Sequence, residues 1–84
     1  MVEVVVKPRF DYELVDAGKR WSVAKGDIGV LYWKPHQRHP RYLEPLVVWD
    51  KDPSGQARKS ILSSLAVVGL QTKNARVLVS FRSA

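Results

Sequence analysis

Two short apolar runs, Ile28 to Trp33 and Leu46 to Trp49, flank a basic segment with two prolines, KPHQRHPR over residues 34–41. Each run is rich in β-branched and aromatic side chains and has the length of a strand rather than a helix. The segment between them has nothing apolar to bury, so it must be an exposed loop or extended arm. Tyr42, Leu43 and Pro45 lead back into the second run, and the breaker-rich turn Asp50-Lys51-Asp52-Pro53-Ser54-Gly55 ends it. Within the first run Ile28, Val30 and Tyr32 share one face, and Leu31 and Trp33 share the other. Both faces are apolar, and Gly29 inside the run predicts a bulge or a tight bend.

The flanking sequence extends this β pattern. Val2, Val4 and Val6 alternate with Glu3, Val5 and Lys7, and Pro8 ends the pairing or places it at an edge. Phe10 to Val15 and Trp21 to Ala24 flank Asp16-Ala17-Gly18-Lys19, a turn signal in which Gly18 takes a left-handed conformation without steric cost. The pair reads as a hairpin or as one excursion in a long first loop. Residues 56–68 admit two readings. Ile61, Leu62, Leu65 and Val68 have helical spacing, with Ser54 as N-cap. Alternatively, Ala57 to Leu62 is a strand, Ser63-Ser64-Leu65 a short helical corner and Ala66 to Leu70 the next strand. We take the second reading, because Gly69 and the paired valines suit a strand and the helix would lack salt-bridge pairs. A last strand, Ala75 to Phe81, has Val77, Val79 and Phe81 on one face. It is expected to pair with the N-terminal valine strand or to offer an edge to a partner.

At 84 residues the chain is expected to form one domain, residues 1–84, with a thin core, since so small a domain buries roughly 60% of its unfolded surface. It has no cysteine, which removes disulfides, thiolate metal sites and cysteine nucleophiles, and favours a reducing, cytoplasmic setting. The N-terminus does not read as a signal peptide, and no run is long enough to span a bilayer, so no membrane partner is expected. Fourteen Lys and Arg against eight Asp and Glu give a net charge of +6, which favours an acidic partner, nucleic acid (DNA or RNA) or an acidic protein.

The basic loop is the most distinctive feature. Lys34, Arg38 and Arg41 can contact phosphates, while Trp33 and Tyr42 frame the loop and can stack on bases. The bland alternative is a solvated loop between two rim aromatics. Arg20, Arg58 and Lys59, with Lys19, are candidate extensions of the same surface. His36 and His39 can add charge below neutral pH. As metal ligands they would have to converge, but Pro35 and Pro40 disfavour the helix that would do this, and no third ligand is near, so no metal or other cofactor is expected. No nucleophile elbow and no Gly-rich phosphate loop is present. Asp50 and Asp52 read as turn-forming carboxylates. The expectation is a protein that binds and does not catalyse. Of the three tryptophans, Trp49 reads as core, Trp33 as an exposed platform, and Trp21 as either.

The stretches KGDIGVLYW, PLVVWD, DPSG, RKSIL, SSL and AVVGL, in that order over residues 22–70, resemble the SH3-like small β-barrels. Gly26-Asp27-Ile28-Gly29-Val30 also resembles part of the motif in basic ribosome- and transcription-associated barrels of the KOW type. The resemblance implies a mainly β fold, a single barrel of about five to seven strands with a one-turn helix near residues 63–65. Two departures stand out. The acidic, aromatic-rich surface with which signalling barrels bind proline-rich peptides is not evident, since the first loop carries only Asp11, Glu13 and Asp16 beside Lys19 and Arg20. The C-terminal strand is additional. Barrels of this shape bind DNA, RNA, peptides or other subunits, so the resemblance leaves two roles open: a nucleic-acid-binding module, or an adaptor or accessory subunit docking on an acidic protein.

Overall fold

The computed structural model describes residues 1–79, in which β structure dominates. The strands are β1 (Glu3–Pro8), β2 (Tyr12–Asp16), β3 (Lys19–Val23), β4 (Gly29–Pro35), β5 (Leu43–Trp49), β6 (Ala57–Lys59), β7 (Leu65–Gln71) and β8 (Arg76–Leu78). One turn of 3-10 helix, Leu62–Ser64, precedes β7. Residues 56–68 therefore follow the strand, corner, strand reading. Ser54 does not cap a helix; its hydroxyl accepts a bond from the Gln56 amide at 3.2 Å.

Six strands form one antiparallel sheet in the order β6-β5-β4-β1-β7-β8, and β2 and β3 form a separate ribbon. Among the described residues the sheet ladder does not close on itself. The ribbon turns through Ala17 and Gly18, both at positive φ (52° and 76°), with Asp16 opposite Lys19. Positive φ at both central residues is the twist a two-residue hairpin needs.

β1 lies between β4 and β7. Its register with β4 (Val4 opposite Leu31, Val6 opposite Gly29) and that of β4 with β5 (Leu31 opposite Val47, Gly29 opposite Trp49) place these side chains on one inner face. The ribbon covers that face. Val6, Val23, Val47, Trp49 and Leu65 form the buried core, with Val4, Tyr12, Trp21 and Leu31 packed around it. Val5 and Val30 face the other way and are buried as well. Alternation assigned Val5 to the face of Glu3 and Lys7. Its burial depends on tertiary packing, which the strand's own pattern does not encode.

Two local expectations need correction. Gly29 is not a bulge. It pairs in register on both sides, and it is glycine because a Cβ there would lie 2.5 Å from Val47 Cγ1 and 2.8 Å from the Val48 carbonyl oxygen. The register shift lies instead between β1 and β7, where Val5 faces Gly69 and Val6 faces Val67, leaving Val68 as the extra residue. The C-terminal strand does not pair with the N-terminal valines. β8 pairs with β7 (Gly69 opposite Leu78, Gln71 opposite Arg76), because both edges of β1 are already taken by β4 and β7. Phe81 lies outside the described residues. No helix among them is long and apolar enough to cross a membrane.

Candidate nucleic-acid interface

The β4–β5 hairpin presents the basic loop. Its last pair is Pro35 with Leu43, and the His36 amide donates to the Tyr42 carbonyl at 2.8 Å. Within the loop the Tyr42 amide donates to the His39 carbonyl at 2.9 Å. His36 organises the turn from inside. Its Nδ1 accepts from the Arg38 amide at 3.1 Å and the His39 amide at 3.3 Å, and its Nε2 lies 3.5 Å from Glu44 Oε1. An Nδ1 that accepts carries no proton, so in this geometry the ring hydrogen sits on Nε2, facing Glu44. His36, His39 and Tyr42 form a short aromatic row, with centroid separations of 5.5 and 6.1 Å.

Beside the loop lies a cavity of about 380 Å³ with Lys34, Arg38 and Lys59 in its lining, together with His36 and Glu44. Register explains the convergence. Lys34 stands opposite Glu44, and Lys59 opposite Leu46, two residues further along β5 on the same face. Three cations therefore share one concavity, and its one carboxylate faces His36. Among the described residues none of these three cations is in an ion pair. Arg41 is exposed on the loop, and Tyr42 is 70% exposed at its end.

The other residues singled out from the sequence are placed differently. Trp33 is 50% exposed, as a platform requires, but it shares the inner face of Leu31 and so projects away from Lys34 and the cavity. Arg58 is half-buried. Its Nε donates to Asp52 Oδ2 at 2.7 Å, its Nη1 lies 3.6 Å from Asp16, and its guanidinium sits 4.3 Å above the Trp21 ring. These bonds tie the ribbon to the β5–β6 turn, so Arg58 serves the fold. Arg20 is exposed on the separate ribbon, opposite Val15, and does not line the cavity; Lys19 lies at the ribbon's turn. Trp21 is the stacking surface for Arg58 and Lys51.

Asp52 is buried and accepts from the Ser54 amide and hydroxyl at 3.0 and 2.7 Å, besides Arg58. The Arg58 bond first, and then the Ser54 bonds, hold its carboxyl below the usual aspartate range. Asp50 does not serve the turn backbone; it makes a two-pronged ion pair with Arg76 of β8. Glu44 is the site residue that sequence reasoning missed. The signal was available, since a hairpin closed at Pro35 and Leu43 brings Glu44 opposite Lys34. Among the described residues no group of three or more His, Asp or Glu side chains is placed to hold a metal ion. The chain has no match among protein-family models, curated proteins or solved structures.

Proposed function

We propose that this chain is a small nucleic-acid-binding module of the cytoplasm that does not catalyse, and that its contact surface is the β4–β5 loop with the adjoining cavity. The observation that carries the reading is the convergence of Lys34, Arg38 and Lys59 without ion-pair partners, beside the aromatic row His36, His39 and Tyr42. The cations take phosphates, and the row offers ring faces to unstacked bases. Arg41 extends the cationic rim. We read the architecture as an SH3-like barrel with an added C-terminal strand. In support, β1 lies between β4 and β7, a hairpin excursion separates β1 from β4, and a 3-10 turn leads into β7.

Tryptophan fluorescence and anisotropy titrations against single-stranded DNA, duplex DNA and RNA test the reading. Neutralising three phosphates gives a log–log salt slope of about −2 to −2.7. Lys34→Glu with Arg38→Glu is expected to lower affinity at least tenfold at low salt. Absence of binding at low salt overturns the proposal. A second reading, an accessory subunit docking on an acidic protein, draws on β8, which among the described residues pairs on one side only and leaves Val77 and Leu78 exposed. Under that reading Val77→Glu on β8 weakens capture of the protein partner, and Arg38→Glu leaves that capture unchanged.

A further inference from the structure

We propose that two copies of this chain associate face to face through the uncovered half of the inner sheet face, with Trp33 and Leu70 in the contact. The inference is independent of the nucleic-acid reading.

Register defines the patch. The ribbon covers one half of the inner face, over Val6, Val47, Trp49 and Leu65. Leu31, Val4, Leu70 and Val77 stand opposite one another in turn across β4, β1, β7 and β8, so they form one transverse row on the same face. Trp33, two residues beyond Leu31, shares that face, as does Leu43, two residues from Pro45, the cross-strand partner of Trp33. Leu31 and Val4 are partly buried against the core, but Trp33, Leu43, Leu70 and Val77 are each at least half exposed.

This is not how an antiparallel sheet meets water. A solvated face carries polar side chains at alternate positions. Here the charges of the same strands, Glu3, Lys7, Lys34, Glu44 and Arg76, all fall on the opposite face. Among the described residues the sheet has one charged side chain on its inner face, Arg58 of β6, and its bonds to Asp16 and Asp52 hold it at the ribbon.

Area and charge select a second copy as the occupant. The exposed parts of the six patch residues come to about 500 Å² per chain, taking about 150–250 Å² for a fully exposed side chain of this size. A stable dimer takes about 800 Å² from each partner, about 65% of it apolar, which is again about 500 Å². The patch is also free of charge, so it can meet its own copy across a twofold axis without like-charge repulsion. The basic loop face of a chain with net charge +6 cannot do so.

Sedimentation equilibrium of the full chain from about 1 to about 100 µM tests the proposal, a range that spans a micromolar dissociation constant. The parent is expected to approach twice the chain mass at the upper end. Leu70→Lys with Val77→Lys sets like charges against each other at the contact and is expected to weaken association about a hundredfold, with an unchanged circular-dichroism spectrum. Trp33→Ser adds no charge and is expected to weaken it about tenfold or more. Val15→Lys alters a residue just as exposed, on the outer side of the ribbon, and is expected to leave the dimer intact. Higher salt is expected to strengthen the dimer by screening the net charge, the reverse of its effect on phosphate contacts. A parent that stays monomeric at the upper end overturns the proposal, and its flotation with phosphatidylcholine vesicles would then assign the patch to a bilayer. A dimer that survives both patch variants, or one that Val15→Lys or added salt dissociates, overturns it equally.

Discussion

Replacing Gly29 with alanine tests the fold where β4 passes closest over the buried core. Gly29 has ordinary negative φ, so the substitution carries no conformational penalty, and the whole effect is steric. The new methyl would lie 2.5 Å from Val47 Cγ1, 2.8 Å from the Val48 carbonyl oxygen and 3.0 Å from Trp49 Cε3. Val47 and Trp49 are both at 0% exposure, and the carbonyl belongs to a ladder strand, so none of the three can give way alone. Overpacking a tight core costs about 1–3 kcal/mol, and the backbone contact puts this site at the upper end, near 3 kcal/mol. A domain of 84 residues has a total stability of about 4–13 kcal/mol. At about 4–8 °C per kcal/mol the melting temperature should fall by about 12 °C or more. Thermal unfolding followed by tryptophan fluorescence reads it, since Trp49 is in the affected core. Gly26 supplies the control. It also has negative φ, and a Cβ there meets no atom within 4 Å, so Gly26→Ala should be neutral or stabilise by up to about 1 kcal/mol. Melting of Gly29→Ala within about 3 °C of the parent, well below the shift that overpacking implies, would refute the close passage of β4 over Val47 and Trp49.

Further expectations concern the ribbon turn and acid stability. Ala17 sits at φ 52°, a region that disfavours residues with a Cβ and that asparagine tolerates, so Ala17→Asn should stabilise by about 1 kcal/mol and raise the melting temperature by about 4–8 °C. An unchanged or lower value contradicts the two-residue turn. The Asp52 carboxyl is depressed in the folded chain by Arg58 and then Ser54, so its contribution is fully present above about pH 4, the unfolded value, and is lost as pH falls through the lower folded value. Denaturant midpoints measured from pH 6 down to pH 2 should fall less steeply for Asp52→Asn, whose own midpoint at pH 6 is lower than the parent's. Parallel profiles would refute the assignment.

Much of the β framework is legible in the residues themselves. The valine alternation, the Asp-Ala-Gly turn, the basic hairpin loop and the Ser63-Ser64 corner all appear where local chemistry puts them. Partner-dependent features are not legible. Arg58 looks like a surface base until Asp16, Asp52 and Trp21, distant in sequence or across a turn, enclose it. Val5 shares the face of Glu3 and Lys7 in the alternation, yet it is buried by packing that the strand's own pattern does not encode. The separation of Trp33 from Lys34 was legible, because adjacent strand residues point to opposite faces, yet proximity in sequence groups them. The role of His36 depends on which of its nitrogens meets the loop amides, and composition says nothing of that.

The ribbon of β2 and β3 shares no ladder hydrogen bond with the six-stranded sheet, although Val23 and Trp21 help to roof its core. Its attachment consists of side chains: the apolar roof, the Arg58 bonds to Asp16 and Asp52, and Lys51, which donates to the Ser22 carbonyl at 2.6 Å. Cooperativity is therefore uneven across this chain. Each strand of the sheet is hydrogen-bonded to the next, whereas the ribbon is held by side-chain contacts, so its opening is expected to require less free energy than global unfolding. Substitutions at Arg58 or Lys51 are thus expected to raise the population of an opened state in which the sheet is intact and the indole of Trp49 is unroofed.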